Sequence, residues 1–285
     1  MVDKFVFYAK FVFAIKTDKY MKPDIKTAKE CLEKGGFSEY SKAYIVTNEH
    51  SRLVLKYIPK QSDILTVAAS GDQPLFWLLR EPKTVDTFDV SYNAKVIMDI
   101  KTAAIPRLSF GAYRNLLNGL YEEYDIKDIY EMPEIIKTLP AEEQEYIEQI
   151  NVKGFIRSDM TLFFSSYLCM QKPEYKKVKE RLHGPFNFIW TDITSLHTKL
   201  NKTYDFIFLS NIFDYASDKQ ITDVLLSLVP YVNLDGKIYF ESNKLITKAK
   251  WLTGFSNNVL NKYNQEYKCI VKKSNKYKCV LQRTR

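Results

Sequence analysis

Histidine and cysteine are scarce in this chain, with three and four residues in 285. Cys31, Cys169, Cys269 and Cys279 are scattered, and no two have the CxxC spacing of a zinc or thiol-redox motif. His50, His183 and His197 stand far apart, so no metal site is expected. Glycine and proline are also few, at 9 and 10, which excludes collagen-like and low-complexity architectures. There is no GxGxxG, so a dinucleotide is a poorer expectation than a mononucleoside ligand. The longest apolar run near the N-terminus, residues 5–15, is broken by Lys10 and has no small-residue cleavage site. It predicts neither a membrane span nor a signal peptide, and a cytoplasmic location follows as the expectation.

What is present is an ordinary globular balance, 46% apolar and 27% charged. A chain of this length buries roughly three-quarters of its unfolded surface and needs no disulfide to hold a core. Cys269 and Cys279 recur inside Tyr-Lys-Cys-Ile and Tyr-Lys-Cys-Val, as two equivalent positions on paired strands would. A disulfide between them is not expected in a reducing cytosol. The net charge of +8 is uneven: residues 118–149 carry ten acidic and two basic groups, residues 244–285 eleven basic groups and only Glu266. Of the 42 cations, 34 are Lys, whereas base and phosphate readers favour Arg. The basic tail is therefore weak evidence for a nucleic acid or an anionic membrane surface as partner.

Residues 1–60 read as an N-terminal helical cap, with Thr47 or Asn48 as N-cap before Leu53, Val54, Tyr57 and Ile58. Residues 61–285 read as an α/β domain. The continuous apolar run 64–68 predicts a strand covered on both faces. A helix through Leu75, Leu78 and Leu79, a strand at 84–90 and a helix at 93–105 ending at Pro106 follow. Residues 111–184, with Pro133, Pro140 and Pro173, read as a helical insertion without a clear strand. The alternation resumes with strands at 187–190 and 204–209, a helix at 218–229 and a strand at 236–240. A hairpin of 266–271 and 277–282 closes the chain. Such alternation implies a doubly wound, mostly parallel sheet, here with an antiparallel C-terminal edge.

In that architecture ligands bind beyond the carboxyl ends of the strands. Ala69-Ser70-Gly71-Asp72 follows the first strand as a tight turn at a helix N-terminus; Gly71 admits close backbone approach, and Asp72 suits an amino-acid ammonium. Asp89, followed by Val90, lies 18 residues past Gly71, near the spacing expected of a ribose-binding acid. Asp192, followed by Ile193, offers a carboxylate to an adenine amino group. Ser210 and Asn211, with Asp214 and Tyr215 just beyond, sit beside the switch in strand order. Each has a plain structural alternative: Asp72 or Asp192 as a cap, Asp89 as a turn residue, Asn211 satisfying a loop backbone.

Taken in order, these residues resemble the Rossmann-like (class I) S-adenosylmethionine-dependent transferases. ILTVAASGDQPLFWLL, TFDVSYNAKVIMDIKTAAIPRLSF and YDFIFLSNIFDY are similar to the betaine-lipid-type 3-amino-3-carboxypropyl transferases and their bacterial relatives. The family's turn matches Ser70-Gly71-Asp72-Gln73, its ribose motif Asp89-Val90-Ser91 with Ser91 in place of Asn, and its Leu-Lys-x-Ala-Ala-Ile helix residues 100–105. The resemblance covers residues 45–115 and 185–240. It implies S-adenosylmethionine as cosubstrate, with Gly71 and Asp72 at its methionine end, Asp89 at the ribose and Asp192 at the adenine. Asn211 and Tyr215 would line the reacting side, and Asp214 and Tyr215 are candidate bases by position only. The expected acceptor is a small molecule or a lipid. Phe5, Phe7, Phe11 and Phe13 either line an apolar mouth or touch a bilayer, or simply pack the N-terminal helix onto the sheet. Methyl transfer is the alternative chemistry, and a non-catalytic nucleic-acid-binding protein on the same fold is the further alternative.

Overall fold

The computed structural model describes residues 22–34, 38–47, 49–121, 129, 131–150, 156–157, 170–242, 249–273 and 277–285. In chain order its elements are α1 (Ile25–Lys34), β1 (Ala43–Tyr44), α2 (Ser51–Val54), β2 (Asp63–Val67), α3 (Asp72–Trp77), β3 (Thr84–Asp89), α4 (Tyr92–Ala104) and α5 (Phe110–Tyr121). There follow α6 (Met132–Ile136), α7 (Ala141–Gln149), β4 (Ile156–Arg157), α8 (Lys172–Arg181), β5 (Asn187–Trp190) and β6 (Tyr204–Phe208). The chain ends with α9 (Asp218–Leu228), β7 (Val232–Ser242), α10 (Ala249–Tyr263), β8 (Tyr267–Lys273) and β9 (Tyr277–Arg283).

Seven strands form one sheet in the order β5-β3-β2-β6-β7-β9-β8. The first five pair in parallel, and β9 runs antiparallel between β7 and β8. The chain fills one side through β2, β3 and β5, then crosses to the other at β6. The switch point of this doubly wound Rossmann-like sheet therefore lies between β2 and β6. Central strands are apolar on both faces because helices cover both: Ile64, Leu65, Phe206, Ile207 and Phe208 are all buried. Trp77 on α3 packs edge-on over Phe208 at 5.0 Å and satisfies its indole N–H on the Thr66 hydroxyl at 3.0 Å. Helix α9 starts at a capping box, the Ser217 N–H donating to Gln220 Oε1 at 2.8 Å and the Gln220 N–H to Ser217 Oγ at 3.3 Å.

Three sequence expectations are corrected. The strand expected at 236–240 is longer, because a register shift between Tyr204 and Phe206 breaks its periodicity and leaves Leu234 61% exposed. The helix expected to start at Thr47 or Asn48 starts at Ser51, after His50 as N-cap. Thr47 instead accepts the side-chain N–H of Gln73 at 2.7 Å, a long-range bond no local pattern reveals. The insertion, read as strandless, contains β4, which pairs in parallel with β1. The Phe5–Phe13 cluster lies outside the described residues.

The insertion is tied to the sheet domain by a buried charge cluster. Lys95 of α4 donates to Asp99 Oδ2 at 2.8 Å and to Glu143 of α7, which is fully buried. Burial, then the neighbouring Asp99 carboxylate, pushes Glu143 up to about 8 from an ordinary 4.5, against the pull of Lys95. The folded state thus holds a proton that the unfolded state releases near pH 4.5. Stability is expected to fall as pH rises from about 5 to about 8, by at most about tenfold in the folding constant per pH unit. Urea midpoints measured across that range should show the slope, and Glu143→Gln should flatten it.

Candidate functional site

The polar residues singled out in the sequence lie at the carboxyl ends of four adjacent strands. Beyond β2, Ala69 adopts a left-handed backbone at φ 47°, and Gly71 follows at φ 77°. An added Cβ on Gly71 would stand 2.8 Å from the Met98 Cα, so both conformation and space demand glycine. Gly71→Ala is expected to cost about 2 kcal/mol or more, readable as a lowered urea midpoint; an unchanged midpoint would contradict the crowding.

Beyond β3, Asp89 is partly exposed and accepts two backbone N–H bonds, Ala69 on Oδ2 and Ser91 on Oδ1, each at 2.9 Å. Its carboxylate thereby locks the strained turn after β2 to the end of β3. Burial raises its pKa, with the backbone donors of Ser91 and Ala69 opposing. Each oxygen keeps further acceptor capacity for a ligand hydroxyl. The carbonyl of the next residue, Val90, accepts the Trp190 indole N–H at 2.8 Å. Trp190 in turn packs tilted against Tyr92 and edge-on against Tyr40, with ring centroids 5.1 and 5.7 Å away.

Beyond β5, exposed Asp192 accepts from the Thr194 and Ser195 N–H groups at 2.8 and 3.1 Å, all on Oδ1. Burial works upward on it, but the Thr194 and Ser195 donors outweigh burial and hold it below the ordinary value. It caps its own turn with one oxygen. Beyond β6, Ser210 is another left-handed residue, at φ 56°. Its carbonyl accepts the Glu241 N–H at 2.7 Å. Left-handed backbone at two non-glycine residues, one on each side of the switch point, is strain placed where ligands bind in this architecture. Asn211 and Asp214 are half-buried in the following turn, the Asp214 N–H donating to the Asn211 carbonyl at 3.0 Å. Tyr215 closes that turn.

Three of the singled-out side chains face inward. Ser70 is fully buried and donates to Asp72 at 3.2 Å. The Ser210 hydroxyl donates to Glu49. Asp72 pairs with fully buried Lys101 at 2.6 Å on Oδ1 and accepts the Thr47 N–H at 2.7 Å on Oδ2. Lys101 also donates to the Ile45 carbonyl. The Asp72 charge is already balanced, so the carboxylate expected to meet an amino-acid ammonium serves instead to hold residues 45–47 against α3 and α4. In the same turn Ala69 stays half-buried with its N–H on Asp89, while the Gly71 N–H donates to the Ala68 carbonyl at 2.7 Å.

Sequence reasoning missed this covering segment. Thr47 and Glu49 are buried and bind Gln73 through its side-chain amide at 2.7 and 3.3 Å, and Glu49 reaches across to Ser210. The signal available was Lys101, a cation among the apolar residues Ile97, Met98, Ile100 and Ala104 of α4, which needed a buried carboxylate somewhere.

No family model matches the chain, and no curated protein matches it. Among solved structures it is similar to an rRNA methylase from Streptococcus thermophilus at 6% identity and TM-score 0.40, over 84% of this chain and 98% of that one. It is similar to the N-methyltransferase NodS from Bradyrhizobium japonicum WM9 at 10% identity and TM-score 0.38, over 82% and 92%. The magnesium protoporphyrin IX methyltransferase ChlM from Synechocystis PCC 6803, with bound SAM, is similar at 7% identity and TM-score 0.38, over 91% and 78%. The fold assignment rests on the strand order and not on these scores.

Proposed function

We propose that the protein is an S-adenosylmethionine-dependent transferase. The observation that carries this is Asp89: a half-buried residue at the end of β3 whose carboxylate bridges to the left-handed turn after β2, beside the switch point. The donor set fits an adenosine-bearing sulfonium. Asp89 accepts the ribose hydroxyls, the free oxygen of Asp192 accepts the adenine amino group, and half-buried Val90 and Ile193 offer apolar contact to the ring. The Ala69–Gly71 backbone receives the methionine end, without Asp72.

S-adenosylmethionine supplies an electrophilic carbon on a cationic sulfur. The chain's part is to hold that carbon in line with the acceptor and to exclude water, which needs no covalent intermediate on the protein. Residues 43–47, fastened by Lys101, and Glu49, bonded to Ser210, cover this side of the crevice. An acceptor hydroxyl would call for a base; Asp214 and Tyr215 stand nearest in sequence to the reacting side. The motif resemblance favours a 3-amino-3-carboxypropyl group and a small-molecule or lipid acceptor. The methyltransferases similar in architecture favour a methyl group at least as much.

The by-product decides between them. Purified protein, S-adenosylmethionine and a lipid-plus-metabolite extract are incubated, with Asp89→Ala as background, and read by mass spectrometry. Methylthioadenosine formed only by the wild type means aminocarboxypropyl transfer; S-adenosylhomocysteine means methyl transfer. Neither product, together with no cofactor binding, would overturn the proposal.

A further inference from the structure

The repeated Tyr-Lys-Cys sequence supplies two thiols that the proposed transfer does not use. The antiparallel register sets Cys269 opposite Leu281 and Val271 opposite Cys279. Opposed residues and their i±2 neighbours share a sheet face, so the two cysteines form a diagonal pair across β8 and β9. Their sulfurs are in contact at 3.2 Å. A disulfide, at ~2.05 Å, needs about 1 Å of further approach. Both are free thiols, Cys279 buried and Cys269 partly exposed, so an external reagent meets Cys269 first. The hydrogen bond from Cys279 lowers the Cys269 pKa, while the same contact and burial raise that of Cys279. An accessible sulfur touching a buried one is the asymmetry of an attacking and a resolving thiol.

We propose that Cys269 and Cys279 are a reversible dithiol–disulfide pair whose co-substrate is an oxidised low-molecular-weight disulfide such as glutathione disulfide. The Cys269 thiolate attacks one sulfur of that disulfide, whose S–S bond breaks and releases one thiolate. Cys279 then gives up its proton and attacks the Cys269 sulfur of the mixed disulfide, expelling the second thiolate. The protein pair loses two electrons and two protons, and the small disulfide gains both as two thiols. The product staples edge strand β8 to β9, which lies against β7 and carries Lys278, ion-paired with Glu241 at 3.2 Å. The repeat marks the two cysteines as equivalent strand positions, and the pairing of β8 with β9 brings their sulfurs together without a CxxC motif.

The 285-residue protein is reduced, freed of reductant, incubated with excess glutathione disulfide, blocked with N-ethylmaleimide and digested with trypsin. The expected result is a Cys269–Cys279 cross-linked peptide, two hydrogens lighter than its parts and lost on treatment with dithiothreitol. Cys279→Ser should stop at a glutathione adduct on Cys269, and Cys269→Ser should leave Cys279 unmodified. A persistent adduct on wild-type Cys269 without the cross-link would overturn the proposal. So would Cys31 reacting while the pair stays reduced. Thermal melts check that each variant folds, and the wild-type cross-link decides on its own if Cys279→Ser does not.

Discussion

Asp89→Ala is expected to abolish S-adenosylmethionine binding, weakening it about 100-fold or more in isothermal titration calorimetry. Hydrogen bonds to a charged group contribute ~1.5–3 kcal/mol each. Losing two ribose hydroxyl contacts alone therefore exceeds the ~2.8 kcal/mol that corresponds to 100-fold. The substitution also strips the Ala69 N–H of its acceptor, in a turn already held at a left-handed φ of 47°. The cradle for the methionine end would loosen together with the ribose contact. Asp89→Asn serves as the shape-preserving control, and a thermal melt distinguishes lost affinity from lost fold. A dissociation constant within about threefold of wild type, in a folded Asp89→Ala protein, would remove Asp89 from the site and the main support for the transferase proposal. Because burial raises the Asp89 pKa, wild-type binding is also expected to weaken with acidification earlier than an ordinary aspartate would require. The protonated carboxyl loses the charge that strengthens both contacts.

Lys101→Met is expected to destabilise the protein by about 3–5 kcal/mol, because it leaves the buried Asp72 carboxylate without its cation. For a chain of this size that amounts to a fall in Tm on the order of 10 °C. The pair is 2.6 Å long, with Lys101 fully buried and Asp72 at 7% exposure, so solvent offers little compensation. Adding Asp72→Asn should recover much of the loss, since removing the charge also removes its desolvation cost. Lys101 also donates to the Ile45 carbonyl, and Asp72 accepts the Thr47 N–H. The single variant should therefore become susceptible to proteolysis around residues 38–47 before the sheet unfolds. A Lys101→Met protein with wild-type Tm and wild-type cleavage would show that the pair does not fasten the covering segment.

The alternation of strands and helices was legible because burial writes itself into local pattern. A strand covered on both faces must be apolar throughout, and Ile64 to Val67 and Phe206 to Phe208 are. Turns at strand ends need Gly, Ser, Asn or Asp, so Gly71, Asp89, Asp192 and Asn211 stood out. An interrupted local pattern hides an element. The register shift in the β6–β7 pairing concealed the first residues of β7, and the two-residue pairing of β1 with β4 is too short to leave any period.

The sequence by itself determined the doubly wound class, the strand ends that carry polar groups, and the glycine of the turn after β2; the Met98 contact that crowds this glycine belongs to the fold. Only the tertiary structure decided which polar side chains face the crevice. Asp72 and Asp89 are equivalent in a linear reading, each an acid at a strand end. In the fold, Lys101 arrives from 29 residues away to neutralise Asp72, while Asp89 meets only backbone donors and keeps acceptor capacity to spare. The same holds for Ser210, turned to Glu49 from 161 residues away, and for the two cysteines brought into contact by a hairpin. Hydrogen bonds and ion pairs act over a few ångströms in space whatever the separation along the chain. Local residue pattern therefore reports burial and turns but not which partners long-range folding supplies.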